Sequence, residues 1–138
     1  MDEFDIIDLV YSHVADSGTG FPIYKQKSED GVKDSHIVIN HLEFHEQDWL
    51  NVLPVNVNIF IKNHPNGMPD IDTMKSAKRA IRGELLKIKS EDGVYQKSEI
   101  SGALPLPGLK EGFDCINIRI TVRTDKIIVQ TDISLENE

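Results

Sequence analysis

Two stretches of this chain alternate apolar and polar residues so regularly that each reads as a half-buried β-strand. In the first, Val55, Val57, Ile59 and Ile61 alternate with Asn56, Asn58 and Phe60. In the second, Ile116, Ile118, Ile120 and Val122 alternate with Asn117, Arg119, Thr121 and Arg123. A different period lies between them. Ile71, Met74, Ala77 or Lys78, Ile81, Leu85 and Ile88 recur every three or four residues, which predicts one long helix over 70–89. A strand, a helix and a second strand of this kind confine the chain to a sheet with a helix lying across one face. The full 138 residues match one ordinary domain, taken as 1–138.

The remaining elements follow from the same rules. Phe4, Ile7, Val10 or Tyr11, and Val14 predict an N-terminal helix over 3–16. Asp2, Glu3 and Asp5 stand in its first turn, where the helix dipole favours carboxylates, and Asp16-Ser17-Gly18-Thr19-Gly20 stops it. Phe21-Pro22-Ile23-Tyr24 reads as extended. His36 to Phe44 reads as a strand covered on both sides, with Ile37, Ile39 and His41 on one face and Val38, Leu42 and Phe44 on the other. Pro54 is placed at the start of the strand over 54–62. Asp70 or Asp72 caps the long helix, and Gly83 within it reads as a mark of close packing on the sheet. Gly102, Pro105, Pro107, Gly108 and Gly112 predict a long loop with partial strand character over 99–112. After a turn at Asp125-Lys126, Ile127 to Ile133 reads as the return strand of a hairpin. The hexapeptide Lys-Ser-Glu-Asp-Gly-Val occurs at 27–32 and again at 89–94, but the flanking residues differ and both copies have turn composition, so the match is read as coincidence. The order of elements gives an α+β fold: a mostly antiparallel sheet with the 70–89 helix and the N-terminal helix on one side.

Composition narrows the chemistry. Cys115 is the one cysteine, which excludes an internal disulfide framework and a multi-cysteine zinc site. No apolar run approaches the roughly 20 residues that cross a bilayer, and Met1-Asp2-Glu3-Phe4-Asp5 is acidic where a signal peptide is basic, so no membrane partner and a soluble, cytoplasmic chain are expected. Net charge is −8, which argues against nucleic acid as the main partner. His41 and His45, beside Glu43 and Glu46, would share a face on a helix, but on a strand they stand about 13 Å apart, so no metal site is expected. Cys115 reads as a packing residue and Asp70-x-Asp72 as helix capping. No phosphate-binding glycine loop or nucleophile motif occurs. The reading is therefore no catalytic residue, no cofactor and no enzyme.

Charge is segregated along the chain. Residues 1–61 hold eleven acids against three lysines, whereas 62–89 hold seven basic residues against three acids. Lys75, Lys78, Arg79 and Arg82 lie on the side of the long helix away from Ile71, Met74, Ile81 and Leu85. An ordinary solvated helix face accounts for such a cluster. So does an oligomer interface, in which it meets an acidic surface of a neighbouring copy, with Asp2, Glu3, Asp5 and Asp8 as the acidic candidates.

The run as a whole resembles phage and prophage neck and tail proteins of the tail-terminator or tail-completion family. The resemblance rests on the short N-terminal helix and Gly-rich turn before Phe21-Pro22-Ile23-Tyr24. It continues through Asn51-Val52-Leu53-Pro54-Val55-Asn56-Val57-Asn58-Ile59-Phe60-Ile61, the loop and single long helix that follow, and the closing hairpin. It implies a structural protein that forms a ring, often a hexamer, capping the tail tube and joining it to the head. The implied partners are copies of itself and tail-tube or neck proteins, and the implied location is the cytoplasm or the virion. No catalytic residues are carried over. The alternative from a different class is a small monomeric module that binds a protein or ligand, and an enzyme using scattered histidines and acids stands last.

Overall fold

A computed structural model describes residues 2–47, 49–91 and 94–125. Helix α1 (Glu3–Ala15) leads into strands β1 (Ile23–Lys25), β2 (His36–His41), β3 (His45–Glu46) and β4 (Leu50–Lys62). Helix α2 (Ile71–Leu85) follows, then β5 (Lys89–Glu91), β6 (Val94–Leu106) and β7 (Phe113–Asp125). Among the described residues the strands form one sheet in the order β1-β2-β4-β7-β6-β5, with β3 also on β4. All pairs are antiparallel except β1 with β2. This is the α+β, mostly antiparallel architecture that the periodicities predict.

The two alternating segments are the centre of the sheet, and they are neighbours. β4 and β7 pair along their whole length, with Val55 opposite Ile120, Val57 opposite Ile118 and Ile59 opposite Ile116. Their apolar side chains share one face, and both helices pack on it. Ile6, Val10 and Val14 of α1 and Ala77, Ile81 and Leu85 of α2 bury against Ile37, Ile39, Val57, Ile59 and Ile118. Burial of each of the larger of these side chains, Ala77 excepted, contributes roughly 1.5–3 kcal/mol. Each helix begins at the acid its sequence supplies. Asp2 and Asp5 form a reciprocal capping box, and Asp70 accepts hydrogen bonds from the backbone N–H and the hydroxyl of Thr73.

Several expectations are corrected. α2 ends at Leu85 rather than near residue 89, because the Leu85 carbonyl accepts the Ser98 hydroxyl at 2.8 Å and the chain turns to bury Ile88 on its way into β5. Gly83 lies on the exposed side of α2, and a Cβ built there meets no atom within 4 Å, so it marks no close packing. Residues 99–106 are not loop but the second half of β6. Gly102 follows a β-bulge at Ser101, Pro105 is tolerated because β6 is on the sheet border there, and only 107–112 form the turn, with Gly108 and Gly112 at positive φ.

The strand read over 36–44 stops at His41. Residues 42–44 break away before β3, and Phe44 packs on the helix-side core instead of the opposite face. Pro54 is not at a strand start but inside β4. Its carbonyl accepts the Leu42 N–H at 2.9 Å, so its missing N–H faces the irregular step between β2 and β3. The Leu42 carbonyl there takes a ring nitrogen of His41 at 2.7 Å. The expected strand over 127–133 lies outside the described residues; both edges of β7 are occupied, by β4 and by β6. The two copies of the hexapeptide sit in different surroundings, the first in the β1–β2 loop and the second opening on β5.

Ile81 is fully enclosed, and Ile81→Ala is expected to cost about 2–5 kcal/mol of stability, read as a lower urea midpoint at an unchanged m-value. Gly83→Ala is expected to raise stability by roughly 0.5–1 kcal/mol in the same titration, since α2 gains helix propensity without a clash.

Candidate interaction surface

No described helix covers the second face of the sheet, and its middle is a ladder of amides. Asn56 donates to Asn40 across to β2 at 3.1 Å. Asn117 on β7 donates to Asn56 at 3.2 Å and Asn58 at 2.8 Å, and Arg119 Nε donates to Asn56 at 3.0 Å. Asn56 and Asn117 are buried, and their hydrogen bonds satisfy each other rather than waiting for a ligand. The ladder is a closed polar network.

At one end of the same face the ladder gives way to an apolar corner. His36 is fully enclosed, stacked on Phe60 with centroids 4.9 Å apart and edge-on to Phe113 at 5.2 Å. Lys110, from the turn after β6, lies over both phenyl rings and reaches the Nε2 of His36 at 3.3 Å. His36 Nδ1 is 2.8 Å from the Asp34 carbonyl, so the ring donates there and accepts from Lys110 as a neutral imidazole. Burial, with the Lys110 charge adding to it, holds its pKa below the ordinary 6.5, against the hydrogen bond to Asp34. Sequence reading missed this corner, because His36 and Phe60 look like breaks in alternation until β2 and β4 are paired.

The helix side shows where the charged candidates fall. Lys75, Arg79 and Arg82 are exposed on α2 and Lys78 is half-buried. None of the four has an ion-pair partner among the described residues. The acidic candidates lie on α1, the neighbouring helix on the same face of the sheet. Asp2 and Asp5 are engaged in the capping box, which holds the Asp2 carboxyl below the usual range through the Asp5 N–H. Asp8 bonds Lys25, and Glu3 is half-buried with no ion-pair partner among the described residues. The structure thus presents the two sets on adjacent helices of one chain without bringing them together.

Beside the basic stripe, between α2 and the second half of β6, runs a groove of about 300 Å³. Ala103, Pro105 and Ile116 form its floor, Ile71 and Met74 its wall, and Lys75 and Lys78 line it as well. Ile71 is more than half exposed at this wall. Reading 99–112 as loop hid the groove, since its floor exists only when β6 is a strand.

The remaining candidates have structural explanations. His41 pairs with core-facing Val55 and His45 with Val52, so the two imidazoles stand on opposite faces of the sheet. No cluster of three metal-ligating side chains occurs among the described residues. Cys115 is buried beside Val38, Phe60 and Phe113, and burial pushes its thiol up to about 11. No described helix is long and apolar enough to cross a membrane. No protein-family model matches the chain, and no curated protein matches it.

The His36 corner makes a pH prediction. Because the folded pKa lies below the unfolded value, the unfolded chain takes up a proton that the folded ring refuses as pH falls below about 6.5. Stability is therefore expected to drop between pH 7.5 and 5.5, and the drop is expected to be smaller in His36→Phe, read by urea titration of both proteins at each pH.

Proposed function

We propose that this chain is a structural protein of the phage or prophage tail-terminator or neck class, assembling with copies of itself into a ring at the head–tail junction. The observation that carries the reading is the outer face of α2. Lys75, Arg79 and Arg82 are exposed there without ion-pair partners among the described residues, next to an apolar groove, on a molecule that is acidic elsewhere. A contact between two different patches joins copies head to tail, and such a contact closes into a ring when the rotation per copy divides a full turn. Apolar anchors supply most of the affinity of such a contact, while complementary charge sets encounter rate and register. The order of elements, with both helices on one face of the sheet, supports the resemblance read from the sequence. The partners under this reading are further copies and tail-tube or neck proteins.

Sedimentation velocity at low and high salt tests the proposal. Assembly is expected to weaken as salt rises, because exposed charges are screened beyond about 8 Å at physiological ionic strength. Arg79→Glu with Arg82→Glu is expected to reduce association while leaving the far-UV circular dichroism of the monomer unchanged, as both side chains are exposed. A chain that stays monomeric at all concentrations, alone and with a tail-tube protein, would favour the monomeric binding module.

A further inference from the structure

The half-buried ammonium of Lys110 has no carboxylate beside it. It lies over the rings of Phe60 and Phe113, 5.6 and 5.2 Å from their centroids. Its polar contacts are long, to His36 Nε2 at 3.3 Å and to Ser28 Oγ at 3.4 Å. It forms no ion pair among the described residues, although the chain holds 23 aspartates and glutamates. A charge drawn out of water is costly without a counter-ion, and ring faces offset only part of that cost. Lys110 lines a pocket of about 360 Å³ on the sheet face opposite the helices. That volume falls within the roughly 300–1,000 Å³ of small-ligand sites.

The amide ladder decides what else this pocket offers. Arg119 Nε can only donate, so the Asn56 atom it meets is the oxygen. Asn56 therefore gives its NH2 group to the Asn40 oxygen, and Asn117 gives its own to the oxygens of Asn56 and Asn58. Within itself the ladder is closed, yet at its border Asn40 and Asn58 have spent their oxygens and kept their NH2 groups. Both side chains line the pocket, and neither NH2 group donates to a described residue. Ser28 accepts from Lys110, which leaves its hydroxyl hydrogen to give, and exposed Lys27 adds a second ammonium. No aspartate or glutamate lines the pocket. Donors thus converge from β2, β4, the β1–β2 loop and the turn after β6, on a molecule of net charge −8. On the rim, where the chain leaves β1, Gln26 holds φ at 73°, the one described non-glycine residue with positive φ. Backbone held there is costly and recurs beside ligand sites.

We propose that this pocket binds a small organic acid, its carboxylate held by Lys110, Asn40 and Asn58 and its apolar part laid against Phe60 and Leu109. The inference is independent of the ring reading, since the pocket and α2 lie on opposite faces of the sheet. Charge matching selects the head group. Lys110 is the half-buried cation, whereas the charge of exposed Lys27 is screened by solvent. One withdrawn positive charge is neutralised by the single charge of a carboxylate, while a phosphate monoester carries nearly two. The apolar part has a surface to cover, because Leu109 is 56% exposed at the pocket and Phe60 forms part of its floor.

Butyrate, inorganic phosphate and the neutral butyramide are the probes, followed by two-dimensional amide NMR of the whole chain. Butyrate is expected to shift the side-chain NH2 signals of Asn40 and Asn58 saturably, and butyramide is expected to leave them in place. Asn40→Asp and Asn58→Asp keep the oxygen that the ladder uses and replace only the NH2 group, so the fold is retained while a negative charge meets the ligand. Each is expected to weaken butyrate binding about tenfold or more, as is Lys110→Met, which keeps an apolar chain over the two rings. Lys75→Met, on α2, is expected to leave it unchanged.

Butyrate binding that none of the three pocket variants weakens, while circular dichroism shows them folded, would put the anion elsewhere and overturn the site. Phosphate bound more tightly than butyrate would overturn the carboxylate assignment, and butyramide bound equally well would overturn recognition of charge. Wild-type protein that gives no saturable shift with butyrate overturns the proposal and leaves the ring reading standing.

Discussion

The pairing of β4 with β7 is the constraint on which the rest of the structure depends. Thirteen consecutive residues of each strand face one another, and from Leu53 to Ile59 the register sets Leu53, Val55, Val57 and Ile59 opposite Val122, Ile120, Ile118 and Ile116, and Asn56 and Asn58 opposite Arg119 and Asn117. A slip of β7 by one residue against β4 would turn Ile118 to the amide side and carry Asn117 under the helices. The Asn117 contacts to both Asn56 and Asn58 hold this register from the polar side as the core holds it from the other. Once it is set, α1 and α2 have one face on which to pack, because the opposite face offers them no continuous apolar surface.

That division of the sheet shapes its surfaces. At its centre the amide ladder is satisfied by its own hydrogen bonds, which makes that stretch a poor candidate for a binding site and a good device for a sheet face that no described helix covers. The His36 corner is the part of that face where apolar side chains gather, and there the β1–β2 loop and the turn after β6 come over it. Lys110 links the two by reaching Ser28 as well as His36. The helix side is incomplete for a different reason. α2 lies over β4 and β7, and β6 extends beyond it, so the groove floor has a wall on one side and, among the described residues, an unpaired strand edge on the other.

The sheet tolerates its irregular residues where the ladder does not need them. Pro54 is inside a central strand, yet its lost N–H faces the step between β2 and β3, where no ladder bond is due. Pro105 lies on a border strand, and the bulge at Ser101 absorbs one residue ahead of Gly102. In both places the strand-breaking residues stand where the neighbour is irregular or no described strand is paired.

Periodicity made much of this legible. The alternation of Val55 to Ile61 and of Ile116 to Val122, the three-four spacing of α1 and α2, and the caps at Asp2 and Asp70 are local signals, each set by which face of a short element must be dry. The exposed stripe of Lys75, Arg79 and Arg82 follows from the same spacing. What local spacing could not reveal is which strand stands beside which. The breaker residues of 99–112 looked like a loop because their cost depends on whether a neighbour needs the missing N–H, and only the tertiary arrangement decides that. For the same reason the groove, the faces of His41 and His45, and the enclosure of His36 emerged only from pairing. The sequence by itself determined the elements and their wet and dry faces, because side-chain hydration acts residue by residue. Tertiary structure decided the pairing of strands and the groove beside α2, because those depend on which neighbours each strand meets.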